Sequence, residues 1–340
     1  MLIERNGIEI ELITALPASA DVPTSAYEKR ITEVGRWSEK HGFSASLIYA
    51  DNRLVDPWIV AQLLVQATER LIPLVAVQPA YMHPYAVAKL VTTLAQFHGR
   101  RTYLNMVAGG FKNDLEALDD RTPHDRRYDR LIEYTTIIMD LLRGGTVNFE
   151  GDFYRVRDLK LSPHLPNDLL PEVFVSGSSE AGRRAADHLG ARPVAYPKPP
   201  GDQEPYLAPA ERKPGFRMGI IARESRQTAW RIAHERFPPS RKGKLLREMA
   251  RKTSDSEWHR DLTALVDVKV DEADPYWLTP FENYKTMCPY LVGSHHDVGR
   301  ELMRYIKSGC RTFLVDVPFD EADLENASAA FDTVLARASV

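Results

Sequence analysis

The strongest constraint on the fold is a repeated alternation between short apolar runs and longer amphipathic segments. Strands that alternate with helices form parallel sheets, and eight of them over this length fit a closed (β/α)8 barrel better than an open sheet. We therefore predict an α/β fold, a TIM barrel in which residues 1–340 form a single domain. The predicted strands cover residues 8–16, 43–50, 71–79, 101–108, 171–177, 191–196, 215–222 and 310–317.

Two segments depart from this alternation. Residues 197–215 hold six prolines, so we expect the helix between the sixth and seventh strands to be absent or reduced to a short turn. Residues 240–292 belong to the long connection between the seventh and eighth strands, and they are charged with scattered Trp and Tyr. We expect them to form a helical insertion over one end of the barrel.

Composition excludes several classes of protein. The net charge of -3 gives no general attraction to nucleic acid or acidic membranes. Cys288 and Cys310 are too few for a disulfide framework and lack metal-ligand spacing, so we expect a cytoplasmic protein. Glu4, Glu9 and Glu11 interrupt the only candidate signal peptide, and no uncharged stretch approaches the about 20 residues of a membrane span.

A turn of small polar residues follows the fifth strand in the stretch VFVSGSSEAGRRAA (173–186). Free backbone N–H groups and the dipole of the following helix make such a turn suitable for a phosphate. Gly177 would permit a close approach, and the hydroxyl groups of Ser178 and Ser179 would add donors. An ordinary helix cap, with Ser as N-cap and Glu in the first turn, explains the same residues.

The fourth strand ends in two glycines, and the stretch PHDRRY (123–128) begins the next helix. Ligands of a parallel barrel collect where the strands end, and the absence of bulk at Gly109 suits a flat ring. The side chains of His124, Tyr128 and the two arginines between them suit an anion. A solvated helix start is the alternative interpretation of this stretch.

Two further polar stretches are ambiguous. Asp51 to Arg53 follow the second strand and belong either to the same rim or to a solvated loop. The stretch SHHD (294–297) contains adjacent histidines, which rarely share one metal ion. Since Asp297 fits an N-cap, we interpret this stretch as a helix start and predict no metal site.

Arg217 lies within the apolar seventh strand, where an unpaired cation would be costly. The period-two alternation of a strand places Arg217 and Gly219 on one face, opposite Phe216 and Met218. If that face is the barrel interior, Arg217 contacts the substrate. Otherwise it pairs with a carboxylate and stabilises the barrel.

With these motifs the sequence resembles the luciferase-like flavin monooxygenases, near the alkanesulfonate monooxygenase branch, over roughly residues 8–190 and 214–337. The resemblance depends on LIYADNRLVDPWIVAQLL, NMVAGG, PHDRRYDRLIEYTTIIMDLLRGG, VNFEGDFYRVRDLKL and VFVSGSSEAG. It implies a (β/α)8 barrel of the bacterial luciferase-like type that binds reduced FMN at its C-terminal rim. A separate flavin reductase would supply the FMN, and O2 would oxidise a small organic substrate.

The resemblance also implies roles for individual residues. Ala108 and Gly109 would let the flavin ring lie against the fourth strand, and His124 and Tyr128 would reach the phosphate or the ribityl chain. Arg217 keeps the position of a substrate-side Arg. The implied cofactor contacts are Ala50, Asn105, Ala108, Gly109, His124, Tyr128, Gly177, Ser178 and Ser179.

The sequence departs from the alkanesulfonate branch on the substrate side. Leu54 stands where those enzymes carry a Cys, and Gly219 stands where they carry a His. We therefore expect a void beside Gly219 and a substrate larger than a short alkanesulfonate. Tyr284 and His295, in the loop of residues 283–296, are the candidates for catalytic proton transfer.

Three other functions remain as hypotheses. They are a deazaflavin-dependent oxidoreductase that transfers hydride without O2, a non-catalytic flavin-binding barrel, and an unrelated phosphate-binding barrel enzyme. Related barrels pair through apolar helices such as those in WIVAQLLVQAT and YAVAKLVTTLAQF. This pattern predicts a homodimer or a dimer-based tetramer.

Overall fold

The computed structural model describes residues 2–5, 8–199, 201–202, 210–253, 257–265 and 271–336. The strands are β1 (Leu2–Arg5), β2 (Ile8–Ala15), β3 (Ala45–Ile48), β4 (Ile72–Val77), β5 (Tyr103–Met106), β6 (Val147–Glu150), β7 (Arg155–Leu159), β8 (Val173–Ser176), β9 (Arg192–Ala195), β10 (Gly215–Arg223), β11 (Tyr276–Trp277), β12 (Tyr290–Ser294) and β13 (Thr312–Val315). The α-helices are α1 (Thr24–Lys40), α2 (Pro57–Ala67), α3 (Pro84–His98), α4 (Lys112–Ala117), α5 (His124–Leu142), α6 (Glu180–Leu189), α7 (Arg226–Arg236), α8 (Arg241–Thr253), α9 (Glu257–Leu265), α10 (Thr279–Glu282), α11 (His295–Lys307) and α12 (Glu321–Leu335).

Each of the eight predicted strands is present, and they are β2, β3, β4, β5, β8, β9, β10 and β13. Several are shorter than the apolar runs that predicted them. The apolar pattern reports burial, and it continues past the ends of strand pairing into loop residues such as Phe43 and Ala108, which are buried. Asp56 caps α2, since its carboxylate accepts hydrogen bonds from the backbone N–H groups of Trp58 and Ile59.

The described chain divides into two compact units. Unit A comprises residues 16–35 and 45–193. Its four strands β3, β4, β5 and β8 pair in that order, and every pair is parallel. The carboxyl ends of these strands therefore meet along one edge, where the loops after them carry most of the implied cofactor residues.

Unit B comprises residues 1–15, 36–44 and 194–340. Within it, β13 pairs in parallel with β2 and with β10, and β10 also pairs in parallel with β9 and with β12. Phe216 and Met218 of β10 are fully buried in a core with side chains of α11 and α12. One face of β10 is therefore packed against helices, which leaves Arg217 and Gly219 on the opposite face.

The connection between β10 and β13 holds α8, α9 and α10. That residues 240–292 form an insertion over one end of the barrel stays a prediction. The prediction missed β11 and β12, because these strands are short and lie in a connection that was interpreted as helical. The helix start at SHHD, directly after β12, was identified without the strand before it. Among the described residues between β9 and β10, only Ala210–Arg212 are helical, as a single 3-10 turn. Residue 200 and residues 203–209 of the proline-rich segment lie outside the described residues.

Both cysteines, Cys288 and Cys310, are buried free thiols. Among the helices of the described residues, none combines the length and the apolar character that crossing a membrane requires.

Candidate active site

The turn after β8 is built around an unused hydroxyl group. The Oγ of Ser178 is buried and has no hydrogen-bond partner among the residues that the structure describes. Its neighbour Ser179 is the N-cap of α6, where its Oγ accepts a hydrogen bond of 3.1 Å from the backbone N–H of Gly182. The two interpretations of this turn therefore apply to different residues: Ser179 caps the helix, and the hydroxyl of Ser178 is left for a ligand.

A tyrosine and a histidine from α5 lie against this turn. Gly177 has a φ of 155°, and a β-carbon at this position would lie 2.5 Å from the hydroxyl oxygen of Tyr128. The Tyr128 ring is buried, and the His124 ring contacts it edge-on at a centroid distance of 5.3 Å. A glycine is required here because any side chain would displace the Tyr128 hydroxyl from the turn.

These residues fit an anionic group such as a phosphate. The backbone N–H groups at the start of α6, the dipole of that helix and the Ser178 hydroxyl all favour negative charge. Arg183 adds a cation at the turn, where its guanidinium donates a hydrogen bond to the carbonyl of Ser178. His124, Tyr128, Gly177 and Ser178, which the sequence predicts as cofactor contacts, are thus brought together within unit A.

The end of β5 places two more of the predicted residues. Asn105 is buried, and its Oδ1 accepts a hydrogen bond of 2.8 Å from Ser176 at the end of β8. Gly109 has a φ of 95°, and a β-carbon there would contact the Leu115 side chain at 3.0 Å. The glycine is thus explained by a turn and by Leu115, and its contact with a flavin ring stays a prediction.

A cavity of about 260 Å³ opens at the carboxyl ends of β3 and β4. Ala50, a predicted cofactor contact, and Leu54, which replaces the Cys of the alkanesulfonate branch, both line it. The polar groups that line the cavity include Gln78 and Tyr81, which the sequence analysis did not identify. Their position at the end of the third predicted strand (residues 71–79) and just after it is the signal that could have found them.

Tyr81 is a hydrogen-bond donor in this cavity. Its hydroxyl donates to the Oδ1 of Asn52 at 2.8 Å. Burial, together with the nearby carboxylates of Asp51 and Asp114, raises the pKa of Tyr81 to about 12. The phenol therefore stays protonated at neutral pH, and it could donate to a carbonyl oxygen of a ligand if it left Asn52.

In unit B, Arg217 belongs to a buried polar cluster. Its Nη2 lies 3.3 Å from the Oδ1 of Asp316, and its Nη1 lies 3.5 Å from the hydroxyl oxygen of Tyr196. The Oδ2 of Asp316 accepts a second hydrogen bond of 3.0 Å from the hydroxyl of Tyr290. Burial and then the Asp316 charge raise the pKa of Tyr290 well above its usual value, so this phenol is also a protonated donor.

The prediction of a void beside Gly219 is wrong. Residue Tyr290 of β12 is paired with Gly219 of β10, and a β-carbon at Gly219 would overlap the Tyr290 ring. The ring therefore fills the space that the missing His would have taken. The prediction failed because β12 was not identified, and with it the residue that faces Gly219.

The two predicted proton-transfer residues lie in the loop after α10 and at the start of α11. Tyr284 is partly buried and has a φ of 53° in the loop after α10. The Nε2 of His295 lies 2.7 Å from the Oδ1 of Asn326 in α12. Their catalytic roles stay predictions, and Tyr290 is the protonated group that the structure brings to Asp316.

The SHHD stretch starts α11, as predicted. The N-cap, however, is Ser294, and Asp297 is the third helical residue of a reciprocal capping box. The prediction of Asp297 as N-cap was wrong by three residues, since Ser294 satisfies the same rule. Asp297 also binds Arg226, with Nη2 to Oδ1 at 2.7 Å and Nε to Oδ2 at 2.9 Å.

Comparison with known proteins identifies relatives over nearly the whole chain. The family model described as luciferase-like monooxygenase matches residues 10–312. One curated relative, the 4-(gamma-L-glutamylamino)butanoyl-[BtrI acyl-carrier protein] monooxygenase BtrO of Niallia circulans, is 32% identical over 307 residues, which are 87% of this chain and 89% of the relative.

Solved structures show the fold. The oxygenating constituent of 3,6-diketocamphane monooxygenase of Pseudomonas putida, in complex with FMN, has a TM-score of 0.69 at 15% identity, over 97% of this chain and 99% of that one. An F420-dependent secondary alcohol dehydrogenase, in complex with an F420-acetone adduct, has a TM-score of 0.67 at 16% identity, over 96% and 99% of the two chains. The predicted (β/α)8 barrel of the luciferase-like type is confirmed.

Proposed function

The chain belongs to the luciferase-like monooxygenase family, and we propose that it is the oxygenase of a two-component system that uses reduced FMN and O2. The single observation that carries the choice of FMN is the buried hydroxyl of Ser178 just before α6, which has no hydrogen-bond partner within the described part of the chain. It supports a ligand with a terminal phosphate at this turn. Reduced FMN supplies the electrons for O2 activation when bound, and a separate reductase would provide it.

Within unit A the residues would bind and orient the cofactor. Ser178 and the backbone N–H groups of α6 would hold the phosphate, with the Tyr128 hydroxyl beside them. The strand-end residues Asn105 and Ala108 are buried. They would hold the flavin ring with little freedom, which is what a defined position of its reacting atoms requires.

The substrate proposal concerns charge. Arg217 is paired with Asp316, which neutralises most of its charge, and Tyr290 adds a neutral donor to the same carboxylate. Such a cluster is better suited to a carbonyl or amide group than to the full charge of a sulfonate. We therefore propose that a short alkanesulfonate is not the substrate.

BtrO acts on an acyl chain that is attached to an acyl-carrier protein, as its name states. Its similarity covers most of both chains, and this supports the same substrate class here. We propose an acyl thioester of a carrier protein as the substrate, in which carbonyl and amide groups are the polar features.

The deazaflavin alternative is kept because a deazaflavin-dependent dehydrogenase shares the fold. Anaerobic titration with reduced FMN and, separately, with reduced deazaflavin distinguishes the two. We expect saturable binding of reduced FMN. On admission of O2, the 4-(gamma-L-glutamylamino)butanoyl thioester of a carrier protein should then gain one oxygen atom by mass spectrometry.

Two other results would each reject the proposal. Saturable binding of the deazaflavin alone, with hydride transfer and no oxygen incorporation, would establish the dehydrogenase. Tight binding of reduced FMN without oxygenation of any acyl thioester would indicate a non-catalytic flavin-binding barrel.

A further inference from the structure

Helix α8 (Arg241–Thr253) concentrates positive charge. Its sequence RKGKLLREMARKT contains six Lys and Arg residues and a single Glu. The whole chain has a net charge of -3, so this helix opposes the average charge of the protein. Such a local excess of one sign attracts a partner of the opposite sign and increases its association rate.

The same helix exposes large apolar side chains. Leu245 is 58% exposed, Leu246 is 40% exposed and Met249 is 57% exposed. Leu245 and Met249 are separated by four residues and Leu246 and Met249 by three, so they form one continuous patch on the helix surface. The exposed side chains of Arg241 and Lys242 lie one turn before the patch. Apolar residues that cations flank are typical of a protein-binding surface.

The attachment of α8 leaves this patch free. Gly243 packs so closely on Asn283 that a β-carbon at residue 243 would overlap the Asn283 backbone. The Asn283 side chain accepts a hydrogen bond of 3.0 Å from the backbone N–H of Ser240, and Lys244 pairs with Glu282 at 2.6 Å. At about 100° per residue, Leu245 points about 200° away from Gly243 around the helix axis. Met249 lies about 240° from Gly243, so Leu245 and Met249 face away from this contact. Leu246 lies about 60° from Gly243, at the edge of the patch nearest to unit B, and is the least exposed of the three.

We propose that the exposed face of α8, formed by Arg241, Lys242, Leu245, Leu246 and Met249, is the docking surface for an acidic carrier protein that delivers the acyl substrate. This inference rests on the proposed function, in which the substrate is a carrier-bound thioester. The cations would steer an acidic surface of the carrier protein towards α8, and the apolar patch would be buried in the complex.

Charge also argues against a second copy of this chain as the occupant. In a symmetric dimer through this face, the two copies of α8 would meet each other. Six basic residues and one Glu on each side would then repel, and this repulsion disfavours such an interface. An acidic partner meets no such repulsion and is attracted by the same basic residues.

The test uses the full-length protein and the phosphopantetheinylated BtrI carrier protein as the probe. The variant is Arg241→Glu with Lys242→Glu, which should fold because acidic residues are favourable in the first turn of a helix. The matched control also reverses two exposed cations, Lys29→Glu on α1 and Arg143→Glu after α5, whose side chains are 80% and 59% exposed. We expect the Kd for the carrier protein to rise at least about tenfold at low salt in the double variant and to stay unchanged in the control. Leu245→Ser should weaken binding at high salt as well, because its contribution is not electrostatic.

Turnover separates this proposal from the proposed function. The acyl group is offered both on the carrier protein and on free pantetheine, and the ratio of the two kcat/KM values is measured for each variant. If this ratio, taken as carrier-bound over pantetheine-bound substrate, falls about tenfold in the double variant and not in the control, docking on α8 is supported. A ratio that does not change, with both substrates oxygenated, overturns the docking site and leaves the function intact.

The binding measurements give two further outcomes. Binding that depends on α8 without oxygenation of either substrate supports the docking site and rejects the function. Binding of α8 to anionic phospholipid vesicles but not to the carrier protein overturns the docking site in favour of a membrane surface.

Discussion

The ring of Tyr290 lies in the space that a side chain at Gly219 would need, although the two residues are 71 positions apart in the chain. Parallel pairing of β10 with β12 sets them side by side. The pair replaces a histidine that the alkanesulfonate branch carries in its own strand. A bulky side chain is thus present at this place but comes from another strand.

Substitution at Gly219 should therefore destabilise the protein. Gly219→Ala forces a β-carbon into the Tyr290 ring, and such overpacking costs about 1–3 kcal/mol. We expect a lower melting temperature in Gly219→Ala and a larger decrease in Gly219→His. Gly201→Ala is the control, because no atom of the described residues lies within 4 Å of a β-carbon there. Equal melting temperatures for Gly219→Ala and wild type would contradict the close packing of Tyr290.

Arg217 should contribute to both stability and activity. Arg217→Ala leaves the buried Asp316 carboxylate without its cation, which costs about 3–5 kcal/mol for a buried pair. The double variant Arg217→Ala with Asp316→Asn removes that charge and should recover most of the melting temperature. If Arg217 contacts the substrate, kcat/KM stays low in the double variant. Recovery of both quantities would show that Arg217 acts only by stabilising the barrel.

The flavin proposal predicts a charge effect at the turn after β8. Ser178→Asp places a carboxylate where the phosphate would bind, and the affinity for reduced FMN should fall at least about tenfold, which corresponds to about 1.4 kcal/mol. Ser178→Ala should have a smaller effect, because it removes one donor without adding charge. Anaerobic titration followed by flavin absorbance measures both. The same affinity in Ser178→Asp and wild type would exclude a phosphate at this turn.

Asp297 should make the protein sensitive to acid. The hydrogen bonds from Arg226 hold the pKa of Asp297 below its usual range in the folded state. A carboxylate with a lowered folded pKa stabilises the fold above its unfolded pKa of about 4 and loses this contribution as the pH falls further. We expect Asp297→Asn to lower stability at pH 7 and to lose less stability than wild type between pH 5 and pH 2.5, by denaturant unfolding. The control is Asp261→Asn, which replaces an exposed carboxylate on α9 and should match the stability of wild type at all three pH values.

Two exposed apolar side chains support the predicted homodimer. Ile59 of α2 is 64% exposed and Phe97 of α3 is 73% exposed, so the surrounding loops do not cover them. Ile59→Glu with Phe97→Glu should convert a dimer into a monomer by light scattering at micromolar concentration, since two buried charges disfavour an apolar interface. Leu118→Glu, at an exposed apolar residue outside these helices, should leave the mass unchanged. A monomeric wild type would reject the dimer.

Local sequence patterns predict the strands of the barrel and several helix starts. The alternation of apolar runs identified all eight strands of the barrel, because burial of one strand depends mainly on its own residues. The N-cap at Asp56 and the helix start after Ser294 follow from short-range hydrogen bonds between a side chain and the next few N–H groups. Gly177 and its two serines were identified for the same reason.

Only the tertiary structure decided which of these residues contact each other and which hydrogen-bonding groups remain available for a ligand. Ser178 and Ser179 are identical in sequence, and only the path of the chain into α6 makes one a cap and leaves the other without a partner among the described residues. Asp316 reaches Arg217 across 99 positions, and Tyr290 reaches Gly219 across 71, through strand pairings that no local pattern specifies. Pairing register depends on contacts between distant segments, so the sequence determined the strands and the turn after β8, and the packed barrel determined the cluster around Arg217.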